Sequence, residues 1–193
     1  MQPPSRPYAP VAVAFLLLWL SAFHAEATSW LAPAIPDVAV QDQDGRGYRF
    51  YSDLLRGRTV LIDFIFTTCK TACPTQTSVL REVRKQLRNH RLGAGSVLLI
   101  SVTVDPQHDG PHQLREYADR FDIETGIPKG WVFLTGDSQE LTKLLQAFGS
   151  GSRQPSDHSN VVWIGNEFHR RWTRTAAFNT PEHFTHLLDE VSR

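Results

Sequence analysis

The chain predicts an α/β sandwich, a mixed central β-sheet flanked by helices. Residues 59–66 (TVLIDFIF) and 96–104 (SVLLISVTV) are β-branched and apolar with almost no polar relief, the pattern of strands buried on both faces. Segments with apolar residues at helical spacing alternate with such strands, which is how a mixed sheet is connected. The third observation is size: 193 residues, 41% of them hydrophobic, suit one domain whose core needs no disulfide or structural metal. There are 20 Lys+Arg and 20 Asp+Glu, so the formal net charge is zero. That composition excludes a disordered chain, and the missing basic excess argues against a nucleic-acid binder.

Residues 28–37 carry Pro33 and Pro36 and read as an extended lead-in. Residues 41–47 (QDQDGRG) read as a turn, and 48–51 as a short strand. After the strand at 59–66, residues 74–92 place Val79, Leu80, Val83 and Leu87 at helical spacing, and Gly93 and Gly95 end that helix. The strand at 96–104 leads to a helix at 111–121. Residues 131–134 form a third strand closed by Gly136, and Asp137 or Ser138 caps a helix running to Phe148. Residues 149–160 are a polar, Gly/Ser-rich loop. Residues 161–164 and 168–173 flank Gly165-Asn166, a hairpin signal. Thr180 caps the last helix, with Pro181 at its first position.

Residues 1–27 read as a signal peptide. One charge at Arg6 precedes an apolar run at 11–23, and Ala25-Glu26-Ala27 offers a small-residue cleavage site. The run is shorter than the about 20 residues that span a bilayer. Cleaved, or retained as an N-terminal anchor, it delivers residues 28–193 to the periplasm or another exported compartment. Thiols there tend to oxidise unless something reduces them.

The two cysteines, Cys69 and Cys73, stand between a buried strand and the helix it feeds, where sites of open α/β sheets collect. Pro74 is tolerated only in a first helical turn, so the helix is expected to start there, with Cys73 as its N-cap. The helix N-terminus and Lys70 would then stabilise a Cys73 thiolate. The pair could close a disulfide, serve as a redox couple, chelate a soft metal ion, or be incidental buried hydrophobes. Two cysteines are too few for an iron–sulfur cluster, and structural zinc usually takes four ligands. Two sulfurs and one histidine best suit copper. Of eight histidines, His24 lies in the signal segment, and His90 stands at a helix end among arginines. His108 and His112 follow a buried strand, while His169, His183 and His186 belong to the late hairpin and last helix. His158 sits in a loop just before a strand, and residue chemistry alone does not choose it.

Four stretches in order give the chain a family resemblance. They are Cys69 to Pro74 after a strand; Ser101-Val102-Thr103-Val104-Asp105-Pro106 with Asp109, Pro111 and then Leu114-Arg115-Glu116-Tyr117-Ala118; Gly130-Trp131 leading to Leu134-Thr135-Gly136; and Asp157-His158-Ser159. From Pro33 to the last helix, the chain resembles the Sco/SenC family of copper chaperones, whose fold is thioredoxin-like. The resemblance implies copper, as Cu(I) or Cu(II), held by Cys69, Cys73 and His158, with Asp105 close to the site. It implies a copper-accepting partner such as the copper subunit of cytochrome c oxidase, whose binuclear site such proteins load or keep reduced. Lys70-Thr71 stands where members often have Pro-Asp, and His108-Asp109-Gly110-Pro111 where they have Arg-Asp-Thr-Pro. These departures bear on the client rather than on the ligand set. The alternative is a thiol–disulfide oxidoreductase of thioredoxin type, although such enzymes usually carry C-x-x-C. A thiol peroxidase would want Thr and Pro where Lys70 and Phe66 stand.

Overall fold

A computed structural model describes residues 32–88, 97–152 and 154–193. The signal segment and the glycines expected to end the first long helix lie outside the described residues. Seven strands form one sheet: β1 (Ala39–Asp42), β2 (Gly47–Arg49), β3 (Thr59–Ile65), β4 (Leu98–Thr103), β5 (Trp131–Thr135), β6 (Val161–Asn166) and β7 (Arg171–Ala176). Their spatial order is β2-β1-β5-β4-β3-β6-β7. Strands β3, β4 and β5 run parallel, and the outer pairings are antiparallel. Helices α1 (Ala72–Arg88), α2 (Pro111–Arg120), α3 (Ser138–Ala147) and α4 (Pro181–Ser192) cover its two faces. This is the mixed, helix-flanked sheet that the sequence predicts.

Strand β3 explains the layering. All seven of its residues are buried, and alternate side chains point to opposite faces. Leu61 and Ile65 join a core with Leu80 and Val83 of α1, Leu114 and Tyr117 of α2, and Phe184 and Leu188 of α4. Val60, Ile62 and Phe64 join the other core, with Leu141 and Leu144 of α3 and the rings of Phe50, Phe148 and Trp172. Asp63 faces the first core. Both predicted caps form: Asp137 accepts the backbone N–H groups of Gln139 and Glu140 at the start of α3, and Thr180 accepts that of His183 in α4.

Three local expectations are corrected. The segment read as a turn at 41–47 contains the end of β1, because the Asp42 side chain itself caps the tight turn by accepting the N–H groups of Asp44 and Arg46. The strand expected at 48–51 stops at Arg49; Phe50–Leu55 coils into a single wide turn that buries Phe50, Leu54 and Leu55. The Gly165-Asn166 pair is not the hairpin turn. Both residues belong to β6, the turn runs through 167–170, and Gly165 pairs with Trp172 across the ladder.

Gly165 is needed because the buried Trp172 ring lies over it: a Cβ there would stand 2.4 Å from the indole. Gly165→Ala is therefore expected to cost about 1–3 kcal/mol by overpacking. Gly47→Ala, where an added Cβ meets nothing within 4 Å, should stay within about 0.5 kcal/mol of the parent. Chemical denaturation of the two variants beside the parent measures both, and a Gly165→Ala midpoint equal to the parent's would refute the packing argument.

Candidate functional site

The cysteines lie where β3 gives way to α1. The Cys69 N–H donates to the Phe66 carbonyl at 3.1 Å, closing a tight turn after the strand. The chain then bends so that the Cys73 N–H points at the Cys69 sulfur, 3.4 Å away. Both thiols are free; Cys69 is half-buried and Cys73 buried. Helix α1 begins at Ala72, so Cys73 lies inside the first turn and Pro74 is still accommodated there.

This geometry reverses the expected roles of the two thiols. Burial raises the pKa of Cys69, but hydrogen bonds from the Cys73 thiol and from the N–H groups of Cys73, Thr71 and Ala72 outweigh it, and its thiol is held below the ordinary value. Cys73 is pushed up to about 12, first by burial and then by the hydrogen bond it gives to Cys69. The helix N-terminus does stabilise a thiolate, but the sulfur it serves is Cys69.

His158 is the buried histidine among the described residues, at 8% exposure; His108, His112, His169, His183 and His186 are exposed. Its ring meets the Phe66 ring edge-on, with centroids 5.8 Å apart. Phe66 is the residue that follows β3, so His158 is packed beside the cysteine loop. Its Nδ1 lies 2.6 Å from the Pro155 carbonyl, which can only accept. In the neutral ring this contact puts the proton on Nδ1 and the lone pair on Nε2, the arrangement common in metal-ligating histidines.

Asp105 follows β4 at the same end of the sheet. Both its oxygens lie 2.9 Å from Nδ1 of His108, and this carboxylate holds the exposed His108 above its usual pKa. Asp105 and His108 line a cavity of about 620 Å³ with Leu141, Thr142, Ser150 and Pro155. The cysteines do not line it. The fold thus gathers Cys69, Cys73, His158 and Asp105 at one end, yet among the described residues no three His, Cys, Asp or Glu side chains stand close enough to hold a metal ion.

Sequence reasoning missed the polar supports of this end. Asp63, fully buried on β3, accepts hydrogen bonds from Gln76 Nε2 (2.9 Å) in α1 and from Ser101 Oγ (2.6 Å) on β4. Ser101 in turn accepts the Trp131 indole N–H at 3.0 Å. Burial pushes the Asp63 carboxyl up to about 7 against the lowering effect of those two donors. The lone charged residue in TVLIDFIF was the available signal. Asp109 is likewise wholly buried and hydrogen-bonded to Thr67 and Thr103.

Comparison with known proteins agrees with this architecture. The SCO1/SenC family model matches residues 40–183. The chain is 35% identical over 124 residues to the SCO1 protein homolog of Bacillus subtilis, covering 63% of this chain and 60% of that protein. It is 32% identical over 141 residues to a Stutzerimonas stutzeri protein whose name suggests copper binding, covering 68% and 64%. The chain thus spans less than two thirds of the length of either relative. Among solved structures it is similar to BsSco, described as a member of the Sco family of cytochrome c oxidase assembly proteins with a disulfide switch. That match has a TM-score of 0.66 and 27% identity, and covers 83% of this chain and 96% of that one. The fold is thioredoxin-like, as those neighbours are.

Two measurements follow from the site. Limiting iodoacetamide at neutral pH is expected to alkylate Cys69 before Cys73, read by peptide mass spectrometry; the opposite order would contradict the thiol assignment. Asp63 binds its proton more tightly folded than unfolded, so it makes stability fall as pH rises from its unfolded pKa to about 7. Asp63→Asn lacks this titration. Its stability relative to the parent should rise across that window by on the order of 4 kcal/mol, and a pH-independent difference would refute the assignment.

Proposed function

The chain belongs to the SCO1/SenC family, and on that premise we propose that it is an exported copper carrier. It holds one copper ion on Cys69, Cys73 and His158 and passes it by ligand exchange to the thiolates of a copper-accepting protein. The observation that carries this reading is the thiol pair itself: an activated, half-exposed Cys69 joined to a buried Cys73. Beside it His158 keeps Nδ1 occupied and leaves Nε2 as a donor. Two sulfurs and an imidazole are a soft donor set suited to copper. Closing the set requires the segment before β6 to bring Nε2 to the sulfurs as the ion binds, a coupling usual where no site is fully preformed. Asp105, which follows β4 at the same end of the sheet, would tune the site rather than complete it.

The relatives support this reading: one carries copper binding in its name, and BsSco belongs to a family of cytochrome c oxidase assembly proteins. The acceptor proposed is accordingly the binuclear copper site of cytochrome c oxidase or of a similar copper enzyme. The segment 1–27 supplies export, by cleavage or as an anchor.

The asymmetry of the two thiols also favours a second reading, thiol–disulfide exchange with the acceptor's own cysteines. One thiol is primed to attack and its neighbour can resolve the mixed disulfide. The same sulfurs serve both roles.

The deciding experiment is copper stoichiometry and affinity of the reduced protein. The parent is expected to retain one Cu(I) per chain. Cys69→Ser and Cys73→Ser should lose it, and His158→Ala should bind at least about tenfold more weakly, since even a hydrogen-bond partner of a ligand is commonly worth that much. No retention by the parent, or retention indifferent to all three changes, would refute the carrier. Turnover of an acceptor disulfide by such a copper-free protein would then favour the redox reading.

A further inference from the structure

Two residues before Cys69, the chain is held by the neighbouring loop and by α2. The Asp109 carboxylate is wholly buried and accepts three hydrogen bonds. They come from the Thr67 N–H (3.0 Å), the Thr67 hydroxyl (2.5 Å) and the Thr103 hydroxyl (2.6 Å). The Thr103 oxygen then accepts the N–H of Asp105 at 2.9 Å. An unbroken run of hydrogen bonds thus links the cysteine loop, through Asp109, to the backbone of Asp105. Arg120 of α2 donates to the Thr67 carbonyl at 3.2 Å. Both backbone polar groups of Thr67 are therefore satisfied by side chains from elements beyond its own loop.

A carboxylate taken out of water is tolerated where donors replace its hydration, and charge-assisted hydrogen bonds from fixed groups do so best. Asp109 has that environment, yet it belongs to no cluster of metal-capable side chains among the described residues. Its partners are a backbone amide and two hydroxyls. Of these, Thr67 fixes where the chain leaves β3 and enters the turn that presents the sulfurs.

We propose that Asp109 is a positioning residue for the cysteine pair. It fixes the start of the cysteine loop relative to the Asp105 segment, so that the two sulfurs and the groups around them are held in register before anything binds. Only its copper readout rests on the proposed function; its effect on the dithiol holds for whatever the sulfurs bind or form. Loosening Thr67 lowers the effective concentration of one thiol at the other and spreads the donor set over more geometries.

The test uses the full chain and five variants: Asp109→Ala, Asp109→Asn, Thr67→Val, Thr103→Val and, as a control, Thr59→Val. Thr59 is a buried hydroxyl at the opposite end of β3, bonded to Asn166. Two constants are measured for each: the dithiol–disulfide equilibrium in glutathione buffers, by thiol trapping, and Cu(I) affinity, by competition with a chromophoric chelator. Asp109→Ala is expected to shift the first toward the dithiol and weaken the second, each by about tenfold, the low end for losing a residue that orients metal ligands. Asp109→Asn keeps the shape and part of the accepting capacity and should recover most of both. Thr67→Val removes one donor and should fall between the parent and Asp109→Ala. Thr59→Val should lower the unfolding midpoint and leave both constants unchanged.

A folded Asp109→Ala protein with both constants within about twofold of the parent, the scatter expected of uncoupled sites, would overturn the proposal. So would an equal shift in Thr59→Val. Should Asp109→Ala fail to fold, Thr67→Val and Thr103→Val decide in its place: parent-like constants in both would overturn the proposal. A parent that binds no copper defeats the carrier reading, while the dithiol–disulfide constant still decides the role of Asp109.

Discussion

Strand β3 is paired with β4 running the same way and with β6 running the opposite way, and that pairing decides where chemistry can sit. The carboxyl ends of β3 and β4 and the amino end of β6 must then fall at one edge of the sheet. The segments leaving or arriving at that edge carry Cys69 and Cys73, Asp105 and Asp109, and His158. If β6 ran parallel to β3, His158 would lie about 20 Å away, the length of a six-residue strand. Because all seven side chains of β3 are buried, a one-residue slip would move Asp63 from α1 to the opposite core. The cysteine loop therefore inherits its place from packing that extends the full depth of the molecule.

Two buried carboxylates then finish what the strand pairing begins. Asp63 meets two side-chain donors, one from α1 and one from β4, and desolvation prevails over them. It stitches the first turns of α1 to the sheet just beneath Cys73. Asp109 meets three donors, two from Thr67 and one from Thr103 at the end of β4, and stitches the cysteine turn to the segment that bears Asp105. Asp63 ties α1 to the paired β3 and β4 strands, and Asp109 ties the cysteine turn to the end of β4. Each joint would leave an unpaired buried group if one partner were lost, which makes the arrangement specific as well as stable.

The central strands, the four helices and the caps at Asp137 and Thr180 were legible because each follows a local periodicity or a local side-chain-to-backbone bond. Elements whose conformation depends on distant packing were not. Phe50–Leu55 is aromatic enough to pass for a strand, and only the buried positions of Phe50, Leu54 and Leu55 explain its coil. Gly165-Asn166 has hairpin composition, but the Trp172 ring claims Gly165 for the strand. At the site, spacing located both cysteines but assigned the stabilised thiolate to the wrong one, because the direction of three backbone N–H groups depends on the turn itself. His158 was indicated by family resemblance, whereas its burial against Phe66 is a tertiary fact. Asp109 was visible as part of the family resemblance, but its bond to Thr67, 42 residues away in sequence, was not.

The unequal thiols bear directly on how a carried ion would enter and leave. Cys69 is half-exposed and, through the amides around it, the easier sulfur to deprotonate, so an incoming ion would meet it first. Cys73, its pKa raised by burial, would keep its proton until an ion came near enough to displace it. Capture on both sulfurs would therefore release a proton at the second one, and the gain from that bond would be partly offset by deprotonating a buried thiol. The second bond is thereby weaker than two exposed thiolates would make it. For a storage protein that would be a defect. In a carrier it favours transfer: a partner thiolate approaching Cys69 competes with a ligand set that recovers a protonated, well-packed Cys73 once the ion has gone. The burial that makes Cys73 part of the hydrophobic core would also make its hold on a carried ion reversible.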